Sequence, residues 1–223
     1  MTTLAWMSWS SGKDSTAALA AVRDDPEIDV TGLLVTVNAA ADRVAMHAVR
    51  RQLLETQAER LGLALHVVEI PSPCPNEVYG ELMSEATGIA IDEGVEAVVF
   101  GDLFLEDVRA HREQALAATG LRALFPLWGR PTDRLAHEMI SSGIRAVLTC
   151  VDPAKLPADF VGRGFDAALL RDLPPGVDPC GERGEFHTFV CDGPGFASPI
   201  EVRTGEVVTR DGFAFCDLVP LGG

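Results

Sequence analysis

Ser10-Ser11-Gly12-Lys13-Asp14-Ser15 gathers three hydroxyls, an ammonium, a carboxylate and a glycine into six residues. That set suits a polyphosphate. Gly12 lets backbone amides approach a ligand with no Cβ in the way. The hydroxyls of Ser10, Ser11 and Ser15 and the Lys13 ammonium can then surround phosphate oxygens. Asp14 would repel them unless it caps a helix or faces a cation. A bound Mg²⁺ would explain it, since hard cations bridge carboxylates and phosphates, so Asp14 is the candidate metal ligand. The stretch is neither GxxxxGK[ST] nor GxGxxG. Its alternative reading is a Ser-rich capping turn with no ligand.

A second stretch, Asp178-Pro179-Cys180-Gly181-Glu182-Arg183-Gly184-Glu185-Phe186-His187, sets two glycines, two glutamates and a histidine ahead of an alternating strand. Spacing near a strand lets Glu185 and His187 face one side, where they could bind Mg²⁺ or exchange a proton. With Lys13, the residues Glu182, Glu185 and His187 are the candidate catalytic groups. The alternative is a polar turn entering an edge strand, with Cys180 a small filler.

The elements that must position these groups alternate strand and helix. Leu4 to Trp9 is an apolar run that reads as a buried strand, and an Ala-rich helix follows from Thr16 to Val22. Strand, small-residue turn and helix aim a helix N-terminus at an anion. Ile28 to Val37 reads as a second buried strand ending at Asn38. Ligands sit beyond carboxyl strand ends, so Thr36, Val37 and Asn38 are where an adenine could rest. Met46, Val49, Leu53, Leu54, Ala58 and Leu61 follow helical spacing with Gly62 as cap. That spacing places His47 at a helix start, as a surface or capping histidine. Leu63 to Ile70 alternates as a strand, and a helix resumes from Glu77. Ala97 to Phe100 is a short strand running into Gly101-Asp102, again at the ligand edge; both residues join the candidate nucleotide site. Arg109 and Glu113 share a helix face at i, i+4. The Pro/Gly-rich segment from Phe125 to Pro131 divides the chain into 1–127 and 128–223. Beyond it come a helix through Leu135 and Ile140, a strand from Ala146 to Val151, and hairpin turns at Thr204-Gly205-Glu206 and Arg210-Asp211-Gly212.

Composition narrows the function. The net charge is −15, and of 18 basic residues only Lys13 and Lys155 are lysines. So acidic a chain repels phosphate backbones, which counts against tRNA or DNA as partner. It also makes a lysine inside the candidate loop informative. No apolar run approaches the roughly 18–20 residues of a membrane span, and the N-terminus lacks signal-peptide character, so no membrane association and a cytoplasmic location are expected. Five scattered cysteines, none in CxxC spacing, argue against a disulfide framework or a zinc site.

Ser10 to Ser15 resembles the SGGxDS pyrophosphate loop of the N-type ATP pyrophosphatases. With Gly101-Asp102, Arg109, Glu113, Pro126-Leu127-Trp128 and the run Pro179 to Pro194 included, nearly the whole chain resembles the diphthine–ammonia ligase family and its bacterial relatives. The resemblance implies a Rossmann-like α/β domain of the adenine nucleotide α-hydrolase type, its parallel sheet covered by helices on both faces. A smaller C-terminal α+β domain would follow, with the active site in the cleft between them. It implies ATP and Mg²⁺, adenylation of a small-molecule or protein-borne carboxylate, release of pyrophosphate, and amide formation with ammonia or an amine. Ser11 departs from the glycine common in the loop, and Phe186-His187 from the tyrosine and glutamate common in the ligase block. The adenylation chemistry carries over better than the diphthine substrate does. The assembly state is left open, a homodimer included. Two other functions compete: a tRNA-modifying adenylase sharing the loop, and a non-catalytic nucleotide sensor.

Overall fold

A computed structural model describes residues 2–221. The first half alternates as expected: β1 (Thr3–Ser8), α1 (Lys13–Arg23), β2 (Ile28–Asn38), the two-residue β3 (Arg43–Val44), α2 (Arg51–Leu61), β4 (Ala64–Ile70), α3 (Asn76–Asp92), β5 (Ala97–Val99), α4 (Glu106–Leu116) and β6 (Arg122–Leu124). Five strands pair in parallel in the spatial order β4-β2-β1-β5-β6, while β3 runs antiparallel along the end of β2. Alternation along β1 assigns the two faces. Ala5 and Met7 pack with Ala18, Leu19 and Leu53 of α1 and α2, and Trp6 packs with Ala86, Ala90 and Leu116 of α3 and α4. The sheet is therefore covered on both sides.

The strand order reverses at β1. From β1 the chain moves out to β2 and β4, then returns to β5 on the other flank. Loops leaving β1 and β5 diverge at such a point and open a crevice beyond the carboxyl ends. Both candidate nucleotide segments, 10–15 and 101–102, lie there.

The second half holds α5 (Thr132–Ser141), β7 (Arg145–Val151), α6 (Ala167–Asp172), β8 (Phe186–Asp192), β9 (Val202–Arg210) and β10 (Phe213–Pro220). Its four strands form an antiparallel sheet in the order β8-β7-β10-β9. One apolar cluster runs without a break from the α1 face into this second sheet, through Ile144, Leu148, Phe189 and Val190. Polar bonds register the two halves: Val190 N donates to Ser11 O at 2.9 Å, and Gln57 Nε2 donates to Ser11 O at 3.2 Å and Val190 O at 2.7 Å.

Two expectations from spacing are corrected. Met46 to Arg50 is not helical, and His47 does not start a helix. Met46 and Ala48 have φ of 62° and 54°, and Val44 N donates to Val49 O, closing a tight reversal before α2. Met46 matched the helical period only by type, since it is 62% exposed while Val44 and Val49 carry the burial. Arg43 and Arg50 then anchor the reversal on Asp217 of β10, at 2.8 and 2.6 Å. Thr204-Gly205-Glu206 is likewise not a turn; it lies inside β9. Gly205 is there for close approach, because a Cβ would sit 3.2 Å from Val219 Cγ2 on β10. Arg210-Asp211-Gly212 is the turn, with φ of 53° and 84° at Asp211 and Gly212, the pattern of a type I′ hairpin.

Candidate active site

Of the candidate phosphate-binding residues, Lys13, Asp14 and Ser15 lie on α1's first turn, and Ser10 to Gly12 lead into it. Gly12 is the N-cap and makes no side-chain cap; Thr16 Oγ1 and Ser15 Oγ both donate back to Gly12 O, at 3.0 and 2.9 Å. Ser10 Oγ and Ser15 Oγ lie 3.2 Å apart on the crevice side. Amides of a first helical turn have no carbonyl one turn earlier to bond, and the helix dipole makes them attract anions. The Lys13 amide is the exception, since it donates to Thr188 Oγ1 of β8 at 3.1 Å. Two glycines keep the crevice tight. A Cβ on Gly101 would lie 2.9 Å from the Asp14 carbonyl carbon, and one on Gly12 would lie 2.8 Å from His47 Cε1.

Ser11 sits at φ 68°, in the left-handed region that favours glycine, and its Oγ is buried without a hydrogen-bond partner. Both features cost stability. Ser11→Gly is expected to stabilise the protein by about 1 kcal/mol, raising Tm by ~2–4 °C in a thermal melt. A lowered Tm would show that the hydroxyl is satisfied and that the strain is absent.

Lys13 is buried, its stem between the rings of Phe165 and Phe186, with Nζ 5.5 and 5.2 Å from their centroids. Nζ donates to Asp14 Oδ2 at 2.8 Å and to the carbonyl of Cys180. Burial pulls the ammonium pKa down, but Asp14 and the nearby Cys180 and Glu182 together outweigh it and the net direction is up, so Lys13 stays charged. Asp14 thus faces a cation, and that cation is Lys13. Among the described residues no three His, Cys, Asp or Glu side chains group as a metal site. Burial also raises the Cys180 thiol, which makes it a poor nucleophile, and Sγ contacts Thr132 O at 3.5 Å.

A cavity of about 460 Å³ opens over this turn. Lys13, Asp14, Gly101, Asp102, Glu182 and His187 form its polar wall, and Leu34, Ile70, Tyr79, Met83, Phe100 and Leu116 its apolar lobe under α3 and α4. Thr36 reaches the lobe. Val37 and Asn38 do not: Val37 is fully buried in the opposite core, and Asn38 Oδ1 accepts from Ala41 N at 2.9 Å within its own turn. The size and the mixed lining fit a mononucleotide.

The second candidate stretch divides. Glu182 stands on the cavity wall, and its Oε1 accepts from Leu103 N at 2.7 Å and Phe104 N at 3.4 Å, latching the 181–185 turn onto the loop after β5. Burial, with the nearby Asp14 and Asp102 carboxylates, pushes its pKa up to about 7. Glu185 is not on that wall. It is buried behind the turn, where Oε1 accepts from Asp178 N at 3.0 Å. Glu185 precedes β8, and its carboxylate is tied back to Asp178 instead of being presented to the cavity. Glu185 and His187 therefore do not meet on the cavity wall.

Four contributors carry no motif in the sequence. Asp178 accepts from Cys180 N at 2.9 Å, Glu182 N at 3.3 Å and Thr132 Oγ1 at 2.7 Å, and so builds the turn that presents Glu182. An aspartate opening a Pro/Gly turn was the available signal. Thr188 binds the Lys13 amide. Arg112 lines the cavity with its Nε 3.8 Å from Asp102 Oδ2. His47 lies against His187, ring centroids 4.7 Å apart, and also lines the cavity.

The chain matches two sequence families, one described as the diphthamide synthase N-terminal domain over residues 2–123 and the other as the diphthamide synthase C-terminal domain over residues 131–219. It is 35% identical over 165 residues to a diphthine–ammonia ligase from Bos taurus, covering 72% of this chain and 62% of that protein. It is 29% identical over 203 residues to a diphthine–ammonia ligase from Danio rerio, covering 83% and 78%. The chain thus spans under two thirds of the bovine relative. A solved structure described as a predicted subunit of tRNA methyltransferase from Methanocaldococcus jannaschii superposes with a TM-score of 0.43 at 16% identity, over 65% of this chain and 80% of that one.

Proposed function

The chain belongs to the diphthamide synthase family, and from that premise we propose that it is an ATP-dependent, AMP-forming ligase that adenylates a carboxylate and joins it to ammonia or an amine. The observation that carries this reading is the meeting of a charged lysine and a helix N-terminus with a carboxylic acid of near-neutral pKa across one nucleotide-sized cavity.

In this reading the adenine occupies the apolar lobe beside Thr36, and the phosphates lie over the first turn of α1. The amides there, the hydroxyls of Ser10 and Ser15, and the Lys13 ammonium bind them. As pyrophosphate departs, Lys13 turns from Asp14 toward the growing charge, which it stabilises from a site closed to water by Phe165 and Phe186. A Mg²⁺ held by Asp14 and phosphate oxygens would supply further charge neutralisation, in keeping with that ion's habit of binding through one or two carboxylates plus phosphates. Glu182, ionising near pH 7, accepts a proton from ammonium, so that ammonia can attack the acyl adenylate and AMP leaves. His187 lines the same wall. Glu185 holds the turn rather than the substrate. The acyl substrate is a carboxylate on a small molecule or a protein, with 128–223 as the part that selects it.

Exchange of labelled pyrophosphate into ATP isolates the adenylation half-reaction. It should depend on one carboxylic acid and proceed without any amine. Exchange that requires bulk tRNA instead would support a tRNA-modifying adenylase. Tight ATP binding with no exchange for any acid would support a sensor.

A further inference from the structure

His47 and His187 meet at the phosphate loop and have no part so far in the nucleotide site. His47 Nδ1 lies 2.9 Å from Thr188 O. A carbonyl only accepts, so Nδ1 carries the hydrogen and Nε2 is left with a lone pair. The same ring crowds Gly12, the N-cap of α1, and both imidazoles line the cavity.

The charged groups that face the pair are all cationic. Lys13 of α1 acts on both rings, and Lys155 of the loop after β7 and the His47 ring oppose charge on His187. The cavity's remaining charged groups are Asp14, Asp102, Glu182 and Arg112. Burial and these neighbours pull the His47 pKa down to about 4 and that of His187 to about 3. Without ligand, both rings are neutral at neutral pH. A lone pair facing a phosphate oxygen is repulsive, whereas an imidazolium N–H in the same place is a charge-assisted donor.

We propose that His47 and His187 form a second phosphate-binding pair that completes the cradle opposite Lys13 by taking up a proton as the nucleotide enters. This rests on the nucleotide reading of the cavity. A polyphosphate brings the negative charge that the empty site lacks around the rings, so protonation and binding favour each other. By reciprocity, lower pH tightens nucleotide binding.

The test is calorimetry of MgATP binding at pH 7.5 in buffers of differing ionisation enthalpy, where ATP as its Mg²⁺ complex is already deprotonated and has no proton to release. Wild-type protein should take up about one proton, and its Kd should rise several-fold, to at most tenfold, for each pH unit above 7. His47→Gln and His187→Gln should each cut the uptake and flatten that slope. His187→Glu, which sets a carboxylate against His47, should hold that ring charged beforehand and also abolish uptake. Glu182→Gln, which removes a carboxyl that can itself gain a proton beside the phosphates, should lower the uptake without removing the histidine share. A histidine-detected NMR titration of the unmutated protein gives the same answer without a variant, through the shift from imidazole to imidazolium on adding MgATP. MgATP binding without uptake, or uptake lost only in Glu182→Gln, overturns the pair while leaving the ATP reading intact. Failure of MgATP to bind at all overturns both.

Discussion

Replacing Lys13 with alanine is expected to lower AMP formation about 10³-fold while leaving the fold in place. The ammonium puts a full positive charge at the first turn of α1, and a single preorganised donor at a developing charge is typically worth 10²–10³ in rate. The same substitution deletes the partner of Asp14 and the donor to Cys180 O. Leaving a partly buried carboxylate unpaired costs about 1–3 kcal/mol here, toward the low side of a fully buried pair because Asp14 remains 27% exposed. The two losses separate in a double variant. Lys13→Ala with Asp14→Ala should recover most of the stability and none of the activity. Activity recovered with stability would mean that Lys13 acts by folding alone.

The second large effect concerns Glu182. Glu182→Ala should lower turnover at least 100-fold and cost about 1–3 kcal/mol, because the amides of Leu103 and Phe104 lose their acceptor and the turn is unlatched from the β5 loop. Glu182→Gln keeps an oxygen for those amides but cannot take a proton. It should fold well and lack the limb of the rate profile that rises through pH 7. A stability profile gives an independent check. The unfolded chain releases the Glu182 proton near pH 4.5, whereas the folded protein keeps it up to about pH 7. Folding therefore binds a proton in that interval, and the stability contributed by the neutral acid, full below pH 4.5, falls as pH rises through 7. Glu182→Gln should flatten that fall. The histidine pair has the opposite sign. With folded pKa values near 4 and 3, its contribution is full above pH 6.5 and disappears as the pH drops through those values.

The parallel sheet and its ligand edge were legible because strands buried on both faces and capped helices write strong local periods. Gly101 could be placed at the ligand edge because it follows a strand end, and the structure sets it against the backbone of Asp14 and Ser15. Lys13 could be read because the chain spends so few lysines. What failed depended on tertiary contact. Met46 satisfied the helical period yet projects outward, and the segment through Arg50 is fixed by Asp217, distant in sequence. Gly205 read as a turn residue because a glycine needed for cross-strand approach looks the same as one needed for positive φ. Strand alternation puts Glu185 and His187 together, but Glu185 lies ahead of β8 and is held by Asp178 N. His47 drew attention only as a surface residue, since nothing local brings β8 against it. For the segment through Arg50 and for His47 the deciding neighbour came from the other half of the chain.

On the proposed reading, this cavity breaks ATP between the α- and β-phosphates to activate an acid. The direct test is to supply MgATP, ammonium and a library of carboxylic acids, and to identify the nucleotide product. AMP and pyrophosphate, formed only with a particular acid and lost in Lys13→Ala, are the predicted result. ADP and phosphate, or AMP released at the same rate whatever acid is present, would contradict it.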